Sequence, residues 1–485
     1  MREPSLDLRP IFLIVGLLLT TLALAMLLPA AVDALAGSSD WRAFLAASAI
    51  TLFFGQAIML SNRTGSTRLS TRQTFLVTGL AWVAVALAAA LPFMLSSLHL
   101  TPTDAVFEAV SGVTTTGATV IHDLAKAPPG ILLWRGILQW LGGFGMIVMA
   151  LTVLPTLKIG GMQIFRLESS EASDKVMPRA ARVTSGVSLI YFALTALLAV
   201  VLWLEGMTGF DALIHAMTTI STGGFSTSDY SLMLIATPTM QVTVMIGMVA
   251  GGLPFLAYLQ LLHGQTWAVK RDPQLRWYGS LLLLGGGAVS LWLWVSYAQE
   301  PGTALLHGFF TATSMMTGTG FVVVDYNQWA GLPLAIQFFL MFVGGCAGST
   351  AAGIKVFRFQ ILLANARVQI QRLLSPHAVL IPDYNRKPIP DHVAESVMGF
   401  LFVYALAFAV VAMALGMLGL DLITALSAAA SAIGNIGPGI GQLGPLATHA
   451  ALSDPAKWLL SAAMLFGRLE MFIILVIFTR AFWRG

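Results

Sequence analysis

The chain has 485 residues, of which 57% are hydrophobic and only 10% are charged, whereas soluble domains usually carry about 25% charged residues. This composition leaves too little polar surface to keep so long a chain in solution. The net charge of +4 does not indicate nucleic-acid binding, because the basic residues lie between the apolar segments. The single cysteine excludes an internal disulfide and a cysteine-based metal site.

Six long stretches contain no Asp, Glu, Lys or Arg, and a membrane-spanning helix needs roughly 20 such residues. The first stretch follows Arg2 and Arg9, as the apolar core of a signal peptide would, but it is longer than the usual core of about 7–15 residues. We therefore expect a retained first span. The stretches are 11–32, 43–61, 136–157, 183–204, 230–262 and 326–354.

The basic residues are concentrated in the segments between alternate spans, and such an excess marks cytoplasmic loops. This distribution predicts that both termini are cytoplasmic. Lys355 and Arg358 fall in the longest predicted inside loop, which continues to residue 387. Arg468 is the only basic residue predicted within a span, because Arg135 and Lys457 fall at or near the opposite face.

Four segments share one pattern that ends in a glycine. They read AVFEAVSGVTTTG from 105, ALIHAMTTISTGG from 212, GFFTATSMMTGTG from 308 and ALSAAASAIGNIG from 425. In each segment a small hydroxyl residue stands six positions before the final glycine. The final glycines are Gly117, Gly224, Gly320 and Gly437, and the hydroxyl residues are Ser111, Thr218, Ser314 and Ser431.

Each of these segments of about twelve residues is too short to span a bilayer and lies between two spans. Non-helical backbone at membrane depth must be buried in protein or line a water-filled cavity, and four units around one axis meet both conditions. We predict an all-α polytopic membrane protein with ten full spans. It comprises four span–pore-loop–span repeats around one pseudo-four-fold pore, plus two extra N-terminal transmembrane helices. The predicted units are 1–70, 71–160, 161–275, 276–375 and 376–485.

The glycine-bearing strands are suited to a cation filter made of backbone carbonyls, which can replace the hydration shell of an ion. Glycine reaches the positive φ angles that such a strand needs, and the C-terminal ends of the half-helices carry partial negative charge. No ring of four carboxylates or of basic residues stands at these positions. The candidate ion-binding residues are Thr114, Thr115, Thr116, Gly117, Ser221, Thr222, Gly223, Gly224, Thr317, Gly318, Thr319, Gly320, Gly434, Asn435, Ile436 and Gly437.

This four-fold plan, with TTTGAT at 114–119, STGGFS at 221–226, TGTGFV at 317–322 and GNIGPG at 434–439, resembles the Trk/Ktr/HKT potassium transporters. The two extra spans and the length are similar to the TrkH-type subunit of bacteria. The resemblance implies potassium as the transported ion, no organic cofactor, and the bacterial inner membrane as the location. It also implies a homodimer and a cytosolic TrkA-type nucleotide-binding regulatory ring.

The sequence leaves two questions open: whether sodium also permeates or is coupled to transport, and what the basic inside loops contact. In plant relatives a serine at the first filter glycine goes with sodium permeation, so Gly117 favours potassium. A sodium-permeable or sodium-coupled member of the same superfamily is the alternative. The basic inside loops, especially 355–387, would dock the regulatory ring or contact anionic lipid heads.

A run of small residues, GGCAGSTAAG, stands late in an otherwise apolar span. Small residues can form a close helix–helix packing seam, or they can weaken the helix and break it into a loop. The resemblance favours the second, since TrkH-type proteins have an intramembrane loop here that obstructs the pore. The candidate gate residues in the run are Gly344, Gly345, Cys346, Ala347, Gly348, Ser349, Thr350 and Gly353.

Arg468 is the other gate candidate. A charge at that depth costs at least about 2.5–3.5 kcal/mol and marks a functional site by default. The alternative is a structural pair with Glu470, although residues two apart do not share a helix face. The resemblance places this arginine beside the loop, where loop carbonyls or the hydroxyls of Ser349 and Thr350 are its natural partners.

Other polar residues give no sign of catalysis. Glu108, His215 and His307 lie in the half-helices, and we expect them to satisfy local hydrogen bonds. The GIGQLG run at 439–444 matches a dinucleotide motif but lacks the strand and helix that the motif requires. The spans contain no group of neighbouring His, Asp or Glu residues that could act in catalysis. We therefore expect the chain not to be an enzyme.

Overall fold

The structure is a computed structural model that describes residues 6–63, 69–157, 160–162, 176–378, 380–385 and 387–484. Helices dominate the described chain, beginning with an N-terminal group. This group comprises α1 (Arg9–Ala25), α2 (Leu27–Leu35) and α3 (Trp41–Ser61). Helices α1 and α3 cross closely at Gly16, where a Cβ would lie 2.7 Å from the Gly55 carbonyl oxygen. Small residues permit such close backbone approach between membrane helices.

The first two repeats each contain a long helix, a half-helix and a second long helix. In repeat 1 the last helix continues through a π-helical turn, Met149–Val153, and in repeat 2 the last helix bends by 92°. Repeat 1 contains α4 (Thr71–Ala89), α5 (Leu91–Leu95), α6 (Pro102–Val113), α7 (Pro129–Val148) and α8 (Leu154–Leu157). Repeat 2 contains α9 (Val176–Leu204), α10 (Gly209–Ile220), α11 (Pro238–Gly252), α12 (Phe255–Leu262) and α13 (Thr266–Arg271).

The third and fourth repeats follow the same order, with non-helical residues inside the last span of each. Between them stands a short antiparallel hairpin of two strands with two residues each, β1 (Asp383–Tyr384) and β2 (Lys387–Pro388). Repeat 3 contains α14 (Pro273–Ser296), α15 (Pro301–Thr317), α16 (Leu332–Val343) and α17 (Val356–Leu374). Repeat 4 contains α18 (Asp391–Met417), α19 (Leu422–Gly434), α20 (Asp454–Arg468), α21 (Phe472–Ile477) and α22 (Arg480–Arg484).

The sequence predicts ten full spans, and fewer of the described helices than that are long and apolar enough to cross a membrane without a break. Seven helices in the described residues are long and apolar enough to cross a membrane, and the bent pair α11–α12 makes an eighth. The last spans of repeats 3 and 4 are broken, by residues 344–355 and at Glu470 and Met471, which both have positive φ. The break in repeat 2 stands at Pro254, where proline cannot continue the hydrogen-bond ladder of a helix.

Local sequence explains where the half-helices α6, α10, α15 and α19 begin. The residue sixteen positions before the final glycine caps three of them: Thr101, Thr208 and Asp421 each accept a backbone N–H of the first turn. The corresponding residue of repeat 3 is Ala304, which has no side-chain oxygen. Helix α15 therefore runs back to Pro301 and has 17 residues, against the twelve or thirteen of the others.

The outer surface of the helix assembly is apolar. Leu189, Leu204, Leu284, Phe402 and Met417 are each more than two-thirds exposed. Large apolar side chains exposed in this way are typical of a surface that contacts lipid or another protein. The half-helices point inward from this shell, and their buried C-terminal ends meet in the interior, where the candidate site lies.

Candidate functional site: a four-strand ring and the loop beneath it

The glycine-bearing segments at the C-terminal ends of the four half-helices share one unusual backbone conformation. We call residues 114–117, 221–224, 317–320 and 434–437 the four-strand ring. In each strand the final glycine has a positive φ, and so does the residue two positions before it, including three non-glycine residues. The φ angles are 55° and 86° for Thr115 and Gly117, 52° and 76° for Thr222 and Gly224, 73° and 76° for Gly318 and Gly320, and 52° and 100° for Asn435 and Gly437.

One hydrogen bond holds this conformation in all four repeats. The backbone N–H of the residue before the final glycine donates to the carbonyl of the small hydroxyl residue of the half-helix. The four bonds are Thr116 to Ser111 at 2.8 Å, Gly223 to Thr218 at 2.8 Å, Thr319 to Ser314 at 3.0 Å and Ile436 to Ser431 at 2.9 Å. Two of the hydroxyls also hold carbonyls of their own strand: Ser431 donates to Gly437 and Ser314 to Phe321.

The four strands close into a ring. A Cβ on each final glycine would overlap a carbonyl oxygen of the next repeat, so only glycine permits this approach. The pairs are Gly117 with Gly223, Gly224 with Thr319, Gly320 with Ile436, and Gly437 with Thr116. Because the repeats follow in the order 1, 2, 3, 4 and back to 1, all sixteen sequence-predicted residues stand in one continuous ring around an axis.

Side chains support the ring from behind. Asn435 donates to Thr116 Oγ1 at 2.9 Å and to the Met464 carbonyl at 3.0 Å, joining repeat 4 to repeat 1. Gln139 donates to the Gly223 carbonyl at 2.6 Å and accepts from the Phe225 N–H at 3.0 Å. The ring is therefore fixed both by a side-chain bond between its own repeats and by Met464 and Gln139 outside it.

The run of small residues is a loop, as one of the two sequence interpretations held. Residues 344–355 connect α16 to α17, and Gly344, Gly348 and Gly353 have positive φ. The loop lies directly beneath the ring, since Thr350 Oγ1 donates to the carbonyl of Ile220, the last residue of α10, at 3.0 Å. Cys346 N–H donates to the Gly252 carbonyl at 2.9 Å, which attaches the loop to the bend of repeat 2.

Arg468 contacts the loop. Its Nη1 donates to the Thr350 carbonyl at 3.0 Å and its Nη2 to the Gly142 carbonyl at 3.3 Å. The side chain is 1% exposed, and its Nε has no hydrogen-bond partner among the described residues. Glu470 pairs with Arg358 instead, so the alternative of an Arg468–Glu470 pair is wrong.

Two basic residues placed in an inside loop by sequence are buried beneath the ring. Lys355 is 1% exposed, and its Nζ donates to the Ala351 carbonyl at 2.6 Å and the Cys346 carbonyl at 3.3 Å. Arg358 is fully buried and donates to the carbonyls of Gly160 and Ile354 as well as to Glu470. The sequence did contain one signal of this burial. Lys355 and Arg358 closely follow the small-residue run, and the loop formed by that run starts eleven residues before Lys355.

The interpretation of Arg468 as the only basic residue within a span is wrong as well. Arg135 lies in α7 and is 2% exposed, and Lys457 lies in α20 and pairs with Asp104 at 2.6 Å. The distribution of Lys and Arg along a sequence does not reveal a carboxylate that is close only in space, such as Asp104 beside Lys457. Glu108 lies in α6, four residues after Asp104, and its carboxylate pairs with Arg135 Nε at 2.8 Å.

The remaining polar candidates are used locally, with one exception. Glu108 also accepts from Thr119 and Val120, and His215 lies within hydrogen-bond distance of Asp211 O and Ser226 Oγ. His307 Nδ1 has no partner among the described residues, so the expected local bond is not found there. The described residues contain no group of three or more His, Cys, Asp or Glu that could hold a metal ion.

The fold and the ring define a class: a polytopic membrane protein with four span–half-helix–span repeats in one chain. The family model for TrkH, described as a cation transport protein, matches residues 41–484. The chain belongs to this TrkH family of cation transport proteins.

Relatives and a solved structure agree with the family. The Trk system potassium uptake protein TrkI of Halomonas elongata is 40% identical, with 98% of this chain and 97% of the relative covered. The Trk system potassium uptake protein TrkH of Salmonella typhimurium is 38% identical, with 98% and 99% covered. The crystal structure of the potassium transporter TrkH from Vibrio parahaemolyticus matches with a TM-score of 0.90 at 34% identity, with 99% of this chain and 100% of that chain covered.

Proposed function

We propose that this chain takes up potassium ions through the four-strand ring, which acts as a carbonyl-lined selectivity filter. The observation that carries the proposal is the closure of four equivalent strands, each glycine against a carbonyl of the next repeat. The relatives' names, which specify potassium uptake, support the choice of ion. Membership of a transporter family agrees with a chain that is not an enzyme.

The physical mechanism is replacement of the hydration shell. A dehydrated potassium ion needs several oxygen ligands, which rings of backbone carbonyls can supply. Alternation of left-handed and ordinary φ along each strand allows successive carbonyls to face the same side. The C-terminal ends of α6, α10, α15 and α19 converge on the ring, and their partial negative charge stabilises a cation there.

We also propose that residues 344–353 and Arg468 form the gate. The loop stands beneath the ring, and Arg468 brings a buried positive charge to it through Thr350. A fixed cation on the conduction path repels potassium, and the repulsion is strong where water is excluded. Lys355 holds the loop on itself through Ala351 and Cys346. Opening would therefore require these bonds to break together.

The test of the function is ion flux into proteoliposomes with potassium and sodium gradients imposed separately. Potassium flux well above sodium flux would support the filter. Equal fluxes, or potassium flux that requires a sodium gradient, would support the alternative of a sodium-permeable or sodium-coupled transporter. Flux of neither ion, in correctly folded protein with the regulator supplied, would refute both.

We further propose that the chain works as a homodimer with a cytosolic TrkA-type nucleotide-binding ring, in the bacterial inner membrane with both termini cytoplasmic. The docking surface for the TrkA-type regulatory ring would be smaller than the sequence indicated, because Lys355 and Arg358 are buried. Exposed Arg367, Arg372 and Lys387 remain available to it or to lipid heads. Light scattering measures the dimer, and co-purification of a purified ring with charge-neutralised variants of these three residues tests the docking.

A further inference from the structure

One buried ion pair stands behind the four-strand ring. Glu108 lies in half-helix α6 and Arg135 in span α7, and Arg135 Nε donates to Glu108 Oε1 at 2.8 Å. The two side chains are 0% and 2% exposed. A buried ion pair is weak evidence of a stabilising role, since apolar residues of similar volume in place of both partners are often as good. Its other hydrogen bonds show what it holds.

Both partners hold the chain just after a ring glycine. Glu108 accepts from Thr119 Oγ1 at 3.0 Å and from the Val120 N–H at 2.9 Å, two and three residues after Gly117. Arg135 Nη1 donates to the Ser226 carbonyl at 2.8 Å, two residues after Gly224. The guanidinium also stands 4.0 Å from the ring centroid of Phe225. One ion pair thus ties the strands of repeats 1 and 2 together.

Among the described residues, a charged brace, the ion pair of Glu108 and Arg135 with its bonds to the strands, exists only on the side of repeats 1 and 2. Repeat 4 holds the chain after its glycine with a neutral bond instead, in which the Ser427 hydroxyl accepts from the Ile440 N–H at 2.9 Å. Two positions matter: nine residues before each final glycine and two residues after it. In repeat 2 they are joined, because His215 Nε2 lies 3.0 Å from Ser226 Oγ. In repeat 3 the Thr311 hydroxyl donates to its own helix, at His307 O. The position pairs are Glu108 and Thr119, His215 and Ser226, Thr311 and Val322, and Ala428 and Gly439.

We propose that Glu108 and Arg135 are positioning residues for selectivity, which fix the ring on the side of repeats 1 and 2. The proposal rests on the proposed function of the ring as a filter. In the cavity-size account of selectivity, a filter discriminates between potassium and the smaller sodium ion when its carbonyls keep their spacing and do not move inward around sodium. Charge-assisted bonds to the strands resist that movement more than neutral bonds do. The ion pair acts through the strands and is not itself an ion ligand.

The first test compares Glu108→Gln and Arg135→Lys with a control, Thr311→Val. Glutamine keeps the shape of Glu108 but loses the charge, and one ammonium group cannot bridge Glu108 and the Ser226 carbonyl as a guanidinium does. We expect the potassium-to-sodium permeability ratio to fall on the order of tenfold in the first two variants. The ratio should be unchanged in the control, which loses a hydroxyl at the same position of repeat 3.

The second readout is hydrogen exchange in a peptide containing Val120, whose N–H donates to Glu108. Exchange should accelerate in Glu108→Gln and stay unchanged in Thr311→Val, whether or not the protein conducts. A wild-type protein without flux would refute the proposed function, whereas exchange at Val120 still decides whether the brace exists. If Glu108→Gln fails to fold, Thr119→Val removes one bond of the brace and should lower the ratio less.

Three results would overturn the inference. One is an unchanged permeability ratio in the folded Glu108→Gln and Arg135→Lys variants. Another is an equal fall of the ratio in Thr311→Val, which would indicate general damage to the half-helices. The third is exchange at Val120 that does not respond to Glu108→Gln, or, where only Thr119→Val folds, a ratio equal to wild type.

Discussion

Replacing Arg468 by alanine tests the proposed gate most directly. The change removes two hydrogen bonds, from Nη1 to the Thr350 carbonyl and from Nη2 to the Gly142 carbonyl, together with the buried positive charge. The loop keeps other anchors, since the single proton of the Thr350 hydroxyl is shared between the carbonyls of Ile220 and Gly251, and the Thr350 backbone N–H donates to the Gly251 carbonyl at 3.2 Å. We therefore expect the loop to open more often but not to be released.

The magnitude follows from the bond that is lost. A hydrogen bond with a charged partner contributes about 1.5–3 kcal/mol, and each 1.4 kcal/mol is about tenfold in an equilibrium constant. Loss of the 3.0 Å bond to Thr350 would shift the closed–open equilibrium by at least roughly tenfold. Arg468→Lys should be intermediate, because the charge survives but the planar fork that reaches both carbonyls does not.

The assay is basal potassium flux per folded protein in proteoliposomes without a regulator. The matched control is Lys457→Gln, which removes another buried cation of the same helix, one that pairs with Asp104 and not with the loop. Flux should rise in Arg468→Ala and stay at the wild-type level in the control. A lower melting temperature with unchanged flux in Arg468→Ala would remove this arginine from the gate.

Three further outcomes are expected. Gly117→Ser and Gly224→Ser should lower the potassium-to-sodium permeability ratio, because a Cβ at either position overlaps a neighbouring carbonyl. The control Gly287→Ser should leave the ratio unchanged, because a Cβ there lies in open space. An unchanged ratio in both filter variants would contradict the carbonyl filter. Deleting part of residues 345–353 should raise basal flux, and flux at or below wild type in folded protein would argue for a packing seam. Burial lowers the pKa of His449 from 6.5 to about 4, so the unfolded chain binds the extra proton first and stability falls from pH 6.5 toward 4. His449→Gln should lessen that fall in melting temperature, and an identical pH profile would exclude His449 as a cause.

Repetition made the ring predictable from sequence. Four glycines in equivalent places, each six residues after a small hydroxyl residue, required one backbone conformation four times, and the structure has it at Gly117, Gly224, Gly320 and Gly437. The break at Pro254 also had a local signal, because glycines and proline interrupt helices. The types of residues next to each other in the sequence are enough to indicate backbone conformations of this kind.

What the sequence did not predict depends on contacts between distant residues. The break at Glu470 and Met471 contains no glycine or proline itself, although Gly467 stands three residues before it, and both residues take positive φ, so the local sequence does not place the break. Glu470 is needed there as the partner of Arg358, 112 positions earlier in the chain. Charge counting likewise placed Arg135 and Lys355 at the membrane faces, because the groups that compensate their burial belong to other segments.

The ring is built from a single polypeptide, and this has a consequence for how it can vary. Its backbone repeats four times, but the residue two before each glycine is Thr115, Thr222, Gly318 or Asn435. A pore assembled from identical subunits would change all four quarters with any one mutation. Here each quarter can change alone, so divergence can specialise one side of the ion's path while the other three sides keep the geometry that the ion requires.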